Sequence, residues 1–375
     1  MSNFSHVPLY KKIADEYRHK IESGKLKPNS MIPSQTQLAT LHKASLATIQ
    51  KALSILVEEG LIHRIKKKGS FGSDQAIHSS PMMSLDQIKR IYFVYNNVDI
   101  AVLSQDLHQS MFEAIYQQCV EYQVEFSMLN LRGNMELPND ESAGFIVWGM
   151  WEYQAHGLMK AVENWRGEGR RLVLLHHYFP HLDIPYVNCD NISGGYLATQ
   201  HLLSLGHTRI GIILSGKSLF EVYAEFSLRL QGYRMALASH GVKYDLTLVN
   251  VHDDQRETEL SGYIGMQTLM SQPDPPTAIF AASDFKALGV LEAATSMNLR
   301  VPDELSVIGY DGYRFGQFTS PGLTTVDQNF SMLGKQAVNL ILNDTERLVS
   351  ETLVSPTLVI RHSTRELCET RSANA

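Results

Sequence analysis

Apolar residues at Leu9, Ile13, Tyr17 and Ile21 recur at helical spacing until Gly24 breaks the series. Pro33 then precedes Ser34, and Gln37 stands three residues after that serine. This is the spacing of a capping box, so a short helix is predicted over Gln35–Leu41. Ser45 is placed to cap a third helix, in which Ile49, Ala52, Leu53, Leu56 and Val57 form one apolar stripe ending at Gly60. The stretch LIHRIKKKGSF that follows reads as a β-hairpin with Lys66, Lys67, Lys68 and Gly69 at its tip.

The pattern lapses from about Gly72 to Gln87, a serine-rich stretch with Pro81 that reads as a linker. From Ile88 onward, short apolar runs (IYFVY, FIVWG, RLVLLHH, RIGIIL, AIFAAS and LSVIGYD) alternate with amphipathic stretches. The latter include Ser104–Tyr122, Gly195–Leu205, Leu228–His240 and Phe285–Met297. Such alternation predicts an α/β fold with parallel sheets, and the length of the body predicts two lobes.

Composition sharpens this division. The 375 residues are 44% hydrophobic and 19% charged, which suits a soluble chain of two or three domains. The net charge of −6 is unevenly spread. Residues 1–80 carry ten lysines and two arginines against six acidic residues, leaving 21 basic and 33 acidic residues in the remainder. A basic head on an acidic body suggests that the head meets a polyanion. The opening residues hold no apolar stretch of signal-peptide length, and no run approaches membrane-spanning length, so a cytoplasmic location without membrane contact is expected. Cys119, Cys189 and Cys368 are far apart and form no C-x-x-C pair, consistent with thiols in a reducing compartment.

One motif points elsewhere. Gly211–Ser218, GIILSGKS, matches the phosphate-loop pattern G-x-x-x-x-G-K-[ST] letter for letter. A phosphate loop needs four residues whose N–H groups curl around an anion, yet here they are Ile, Ile, Leu and Ser. Gly211–Leu214 is therefore expected to be a buried strand, with Lys217 in a loop near a ligand cleft, and nucleotide hydrolysis is not expected. No acid–base constellation marks an enzyme, and no cofactor is expected. His176 and His177 are adjacent and would face opposite ways, a poor metal pair, while His252, Asp253 and Asp254 read as a solvated loop.

The head resembles the GntR-type winged helix-turn-helix from about Pro8 to Gly72. The matching pieces are G24KLKP, I32PSQTQLA, S45LATIQKAL, L53SILVEEGLI and KKKGSF. The resemblance places Ser34, Gln35, Ser45, Ala47, Thr48, Gln50 and Gly69 against DNA, and Thr36, Lys51, Lys66, Lys67 and Lys68 accompany them. The start of the third helix suits the major groove and the lysine tip suits phosphates. That family usually has arginines where this chain has Thr36, Leu46 and Gln50. Because glutamine reads adenine where arginine reads guanine, an operator weighted toward A·T contacts is expected.

The body resembles the LacI/GalR-type sugar-sensing domain over about Ile91–Ile360. The resemblance is carried by V187NCDNISGGYLATQHLLSLGHTRIGII, S227LRLQGYRMAL and the long run A278IFAASDFKALG…VPDELSVIGYDGYRFGQFTSPGLTTVDQ. The combination is similar to the bacterial arabinose-operon repressor family. It implies a winged helix-turn-helix domain over 1–72, a linker over 73–88 and a two-lobed, periplasmic-binding-protein-like sensor over 89–375. The first lobe would take about 89–187 and 327–345, and the second about 188–326 and 346–365. Crossovers are expected near Tyr186–Asp190, Tyr310–Phe318 and Ile341–Leu353.

The same resemblance implies a homodimeric regulator, a repressor of carbohydrate-utilisation genes that leaves double-stranded operator DNA when a small effector binds, a monosaccharide being the family-level expectation, with sugar phosphates, nucleosides and glycoside dimers as alternatives. Arg229 would donate to the effector and Asp311 accept from its hydroxyls. Ser283 and Asp284 lie at a strand's carboxyl end, where ligands of open α/β sheets gather; for Asp284, capping the next helix is an equal alternative. In the first lobe, Asn97, Trp148 and His176, with Asn96, Trp151 and His177 beside them, follow strands and are candidate contacts. Asp190 and Asn191 read as a helix cap and a lobe-junction pair. The competing classes are a solute-binding protein without DNA function and, more remotely, a nucleotide-binding enzyme.

Overall fold

The computed structural model describes residues 9–22, 26, 30–58, 61–65, 69–72, 88–96, 106–149, 155–177, 179, 181–254, 258–342 and 351–367. The chain divides into two units, Met1–Leu85 and Asp86–Ala375.

In the first unit, α1 (Leu9–Glu22), α2 (Gln35–Leu41) and α3 (Leu46–Glu58) accompany three antiparallel strands, β1 (Met31–Ile32), β2 (Ile62–Ile65) and β3 (Gly69–Gly72), in the order β1-β3-β2. The capping box forms as the spacing predicts. Gln37 N donates to Ser34 Oγ at 3.3 Å, and Ser34 N donates back to Gln37 Oε1 at 2.8 Å. Ile13, Tyr17, Ile21, Leu38, Ile49, Ala52, Leu53 and Leu56 interlock with Ile32 and Ile62 in one core. Val57 departs from the predicted stripe. It is 38% exposed, because Leu53 and Leu56 already fill the α3 face that meets the core. The two-residue strand β1 had no periodicity long enough to show in the sequence.

The second unit holds two sheets. The first comprises β4 (Arg90–Tyr95), β5 (Glu125–Asn130), β6 (Ala143–Trp148), β7 (Arg171–Leu175), β8 (Tyr186–Cys189) and β15 (Glu351–Val354), all parallel in the order β15-β8-β7-β6-β4-β5. On one face, α4 (Asp106–Glu121) and α10 (Phe330–Leu342) cover Ile91, Phe93 and Ile146; on the other, α5 (Ala155–Gly167) covers Phe145 and Val147. Burial on both faces is why these strands read as unbroken apolar runs.

The second sheet contains β9 (Ile210–Ser218), β10 (Glu221–Val222), β11 (Val249–His252), β12 (Ala278–Ala281), β13 (Ser306–Asp311), β14 (Thr324–Asp327) and β16 (Thr357–Val359). Strands β11, β9, β12, β13 and β14 are parallel neighbours, while β10 and β16 add antiparallel edges. One face is packed by α6 (Asn191–Ser204) and α7 (Ala224–Ser239), the other by α8 (Glu259–Met270) and α9 (Asp284–Ser296).

GIILSGKS lies wholly within β9, so the extended backbone excludes a phosphate wrap. Lys217 is on the strand rather than in a loop, 2.7 Å from Glu221 on the returning β10. The strand pairings also revise the predicted lobe boundaries. The first crossover falls between β8 and α6, as expected. The second lies between β14 and α10, beside the expected lobe bound at 326/327 and not at Tyr310–Phe318, since β14 continues the second sheet while α10 packs on the first. The third lies between β15 and β16, because Glu351–Val354 pairs with β8 and so belongs to the first lobe. Ile88, assigned to the linker, is 5% exposed within the first-lobe core, and 73–87 lie outside the described residues.

Candidate functional sites

In the head, Ser45 caps α3. Its hydroxyl accepts from Thr48 N at 3.1 Å and shares a 2.8 Å hydrogen bond with the Thr48 hydroxyl. Ser45, Gln50, Lys51 and the α2 cap Ser34 are exposed, whereas Thr48 and Gln35 are half-buried. The Lys51 ammonium lies 4.4 Å from the centroid of the Tyr10 ring on α1, which fixes this cation beside the α3 start. Thr36 and Ala47 fall on α2 and α3, and Gly69 opens β3. Lys66, Lys67 and Lys68 lie outside the described residues.

The second site lies where the two sheets of the body present the carboxyl ends of their strands to one another. Arg229, on α7, is 2% exposed. Its Nε donates to Asn191 Oδ1 at 2.9 Å and one Nη to the Ala282 carbonyl at 2.5 Å. The guanidinium lies 3.9 Å from the centroid of Tyr310 and 3.7 Å from Asp311 Oδ1. Two glycines allow this placement. A methyl on Gly195 of α6 would strike the Arg229 carbonyl, and one on Gly232 of α7 would strike the Ile192 carbonyl, so α6 and α7 meet backbone to backbone. Asp190 caps α6, accepting from Ser193 N at 2.9 Å, and Asn191 joins Arg229 to the Tyr310 hydroxyl at 3.1 Å. This pair plays the predicted cap-and-junction role.

Asp311 ends β13 with φ of 118°, a conformation that costs a non-glycine residue free energy and that clusters at functional positions. Its Oδ1 accepts from Gln328 Nε2 at 2.7 Å, and Gln328 Oε1 accepts from His176 Nε2 at 3.2 Å. Hence Arg229, Asp311, Gln328 and His176 form a polar chain from the second lobe to the first. His176 also carries a positive φ, 60°, just past β7.

Ser283 and Asp284 divide their roles differently from the sequence reading. Ser283 is the cap of α9, its hydroxyl accepting from Lys286 N at 3.3 Å. Asp284, which the alternative reading made the cap, is wholly buried and clamps the turn after β13. It accepts from Gly312 N at 3.0 Å, Tyr313 N at 2.8 Å and the Thr325 hydroxyl at 2.6 Å. Burial pushes its carboxyl up to about 7 against the pull of those donors.

The first-lobe side is aromatic. Trp148 is 2% exposed and sits among Phe93, His108 and, across His108, Phe330. Its indole Nε1 and His177 Nε2 are buried without a hydrogen-bond partner among the described residues. His176 and His177 do diverge: one meets Phe330 and the other Phe179, which belong to clusters on opposite faces of the sheet. Burial lowers the affinity of both for protons, and Glu225 at the start of α7 opposes this from the second lobe. Asn97 and Trp151 lie outside the described residues. Sequence reasoning missed Gln328, Glu225 and Phe226, none of which sits in a motif with a chemistry of its own. Of His252–Asp254, read as a solvated loop, Asp253 is exposed, whereas His252 Nε2 is buried and Asp254 pairs with Lys286 at 3.2 Å. Among the described residues no group of His, Cys, Asp and Glu is placed to hold a metal ion, and no helix is long and apolar enough to cross a membrane.

Residues 9–71 match the family described as bacterial regulatory proteins, gntR family, and residues 199–364 match the periplasmic binding protein-like domain. The HTH-type transcriptional repressor CytR of Escherichia coli (strain K12) is 35% identical over 199 residues, 52% of this chain and 56% of that protein. The repressor PurR of Haemophilus influenzae (strain PittEE) is 34% identical over 194 residues, 50% of this chain and 56% of that protein. The chain thus spans about half the length of the curated relatives it matches. A solved transcription regulator from Lactobacillus plantarum matches 74% of this chain and all of its own length, with TM-score 0.57 and 25% identity. A complex of the regulator CelR with cellobiose covers 88% of this chain and 100% of its own, with TM-score 0.61 and 22% identity. A ribose-bound LacI family regulator from Enterococcus faecium covers 75% and 100%, with TM-score 0.60 and 24% identity. The chain joins a gntR-family regulatory domain, a helix-turn-helix, to a periplasmic binding protein-like domain.

Proposed function

We infer that the chain is a non-enzymatic, DNA-binding transcriptional repressor of carbohydrate-use genes, released from its operator by a small polyhydroxylated effector held between the two lobes. The polar chain Arg229–Asp311–Gln328–His176 carries this reading. It gathers one planar cation, one carboxylate and one imidazole at the strand ends of both lobes, a set suited to sugar hydroxyls. Trp148 adds an indole N–H that has no partner among the described residues. The repressor names of the two curated relatives and the sugars in two of the solved complexes support the same class.

In this reading Ser34, Gln35, Thr36, Ser45, Ala47, Thr48, Gln50, Lys51, Lys66, Lys67, Lys68 and Gly69 meet the operator. Effector binding favours one relation between the lobes, and through a homodimer this alters the spacing of two heads on DNA. Exposed apolar residues support a dimer contact: Tyr116 and Val120 on α4, Met128 on β5, and Leu260 and Ile264 on α8. Size-exclusion chromatography with light scattering should give twice the chain mass. The functional test is a gel shift on DNA upstream of carbohydrate-use genes, with a panel of sugars. One sugar should release the wild type, while Arg229→Ala should hold DNA and ignore it. A normal response by that variant would remove the cleft from the account.

A further inference from the structure

At the carboxyl ends of β9 and β11, beyond Arg229 and Asp311, stands a second set of paired polar side chains. The Lys286 side chain is entirely buried, and its ammonium lies 3.2 Å from Asp254 Oδ2. Ser215, also fully buried, donates to Asp254 Oδ1 at 2.6 Å. Asp254 itself keeps 13% of its side chain open to solvent, and two residues before it His252 Nε2 is buried without a hydrogen-bond partner among the described residues. Tyr223 donates to the neighbouring Asp253 at 2.7 Å.

A wholly buried lysine is costly even when paired, and an aliphatic side chain on α9 would fill the same space without charge. The pair therefore needs another reason to be there. Its position supplies one. Strands β11, β9, β12 and β13 are parallel, so Asp254 and Asp311 sit along the same edge of the sheet. The two cations share one aromatic ring: the Arg229 guanidinium and the Lys286 ammonium each lie 4.9 Å from the centroid of Phe226.

We propose that Asp254 is a second hydroxyl acceptor of the effector cleft, with Lys286 and Ser215 as its positioning residues, and that the effector is an uncharged polyol reaching both Asp254 and Asp311. This rests on the reading of the cleft as the effector site. Lys286 and Ser215 hold the two carboxylate oxygens in a fixed orientation, leaving their outer lone pairs for ligand hydroxyls. Charge sets the class. Asp253, Asp254, Glu225 and Asp311 outnumber Arg229 and Lys286, each of which already stands beside a carboxylate. A phosphate or carboxylate on the ligand would meet like charge at both ends.

The test is calorimetric titration of the full chain with free pentoses and hexoses, two-sugar glycosides including cellobiose, and sugar phosphates. A free sugar or glycoside should bind, with its phosphate ester weaker by roughly 10-fold or more. Asp254→Asn and the double variant Lys286→Met with Asp254→Asn should each weaken the neutral ligand by about 10-fold. The double variant leaves no unpaired buried charge, so its melting curve should match the wild type. It should also narrow the discrimination against phosphate esters, which loss of packing alone would not do. Unchanged sugar affinity in the double variant, with binding lost in Arg229→Ala, overturns the second acceptor and spares the cleft. Failure of every sugar to bind, or indifference of all these variants, overturns the cleft reading itself. Tighter binding of a phosphate ester than of its free sugar overturns the uncharged class.

Discussion

On the second-lobe side of the cleft, Arg229, Asp311, Asp284, Lys286 and Asp254 are buried or half-buried charges, each held by partners on its own sheet. On the first-lobe side, Trp148, His108, Phe93 and Phe330 form a buried aromatic cluster in which the Trp148 indole N–H has no hydrogen-bond partner among the described residues. The contrast separates two tasks. Prepaid pairing makes the second lobe a rigid frame that orients hydroxyls, since its charges cannot reorganise without stranding one another. The first lobe instead packs its rings around one donor that has no partner among the described residues. Gln328 bonds both sides with its side chain, through Asp311 and His176.

The comparison can be broken at several strengths. Arg229→Met should cost the most, about 3–5 kcal/mol of folding stability, because Asp311 is left as a buried carboxylate without its cation. Denaturant unfolding measures this, and a loss near zero would mean that the second-lobe frame is not held by charge. Gln328→Leu removes both bonds across the junction and should cost about 1–3 kcal/mol while weakening effector binding. Trp148→Phe should cost the free protein about 1–3 kcal/mol, because the smaller ring leaves a cavity in a buried cluster, and should lower effector affinity roughly 5–10-fold. Unchanged effector affinity there would remove the indole from the ligand contacts.

The smallest effect concerns pH. Asp284 binds its proton more tightly folded than unfolded, with a folded value of about 7. Its contribution to stability is therefore full below the ordinary carboxylate range, declines as pH rises toward 7, and is constant above. Asp284→Asn should flatten that part of the stability profile between about pH 4 and 7. An unchanged profile would mean that the carboxylate is ionised in its turn.

Much of the architecture was legible because buried parallel strands and capped helices leave local marks. IYFVY, FIVWG, RIGIIL and AIFAAS became β4, β6, β9 and β12, and the Ser34–Gln37 and Asp190–Ser193 caps formed where their spacing put them. What failed was set by distant partners. Glu351–Val354 joins the first sheet only through its register with Tyr186–Cys189, a pairing across more than half the body. The site was legible in part: Arg229 and Asp311, singled out by their motifs, stand 3.7 Å apart, but Asp284 turned inward to hold a turn. Gln328 and Lys286 gave no warning, because a glutamine after a strand and a lysine on a helix are ordinary surface residues until tertiary packing buries them.

The central claim is that the cleft and the head share one free energy, and linkage makes that claim reciprocal. The direct measurement is the affinity of the releasing sugar for the full chain, by calorimetry, with and without a saturating operator duplex. The account predicts that DNA weakens the sugar by the same factor, roughly 10-fold or more, by which the sugar weakens DNA. Equal sugar affinity in both states would contradict it.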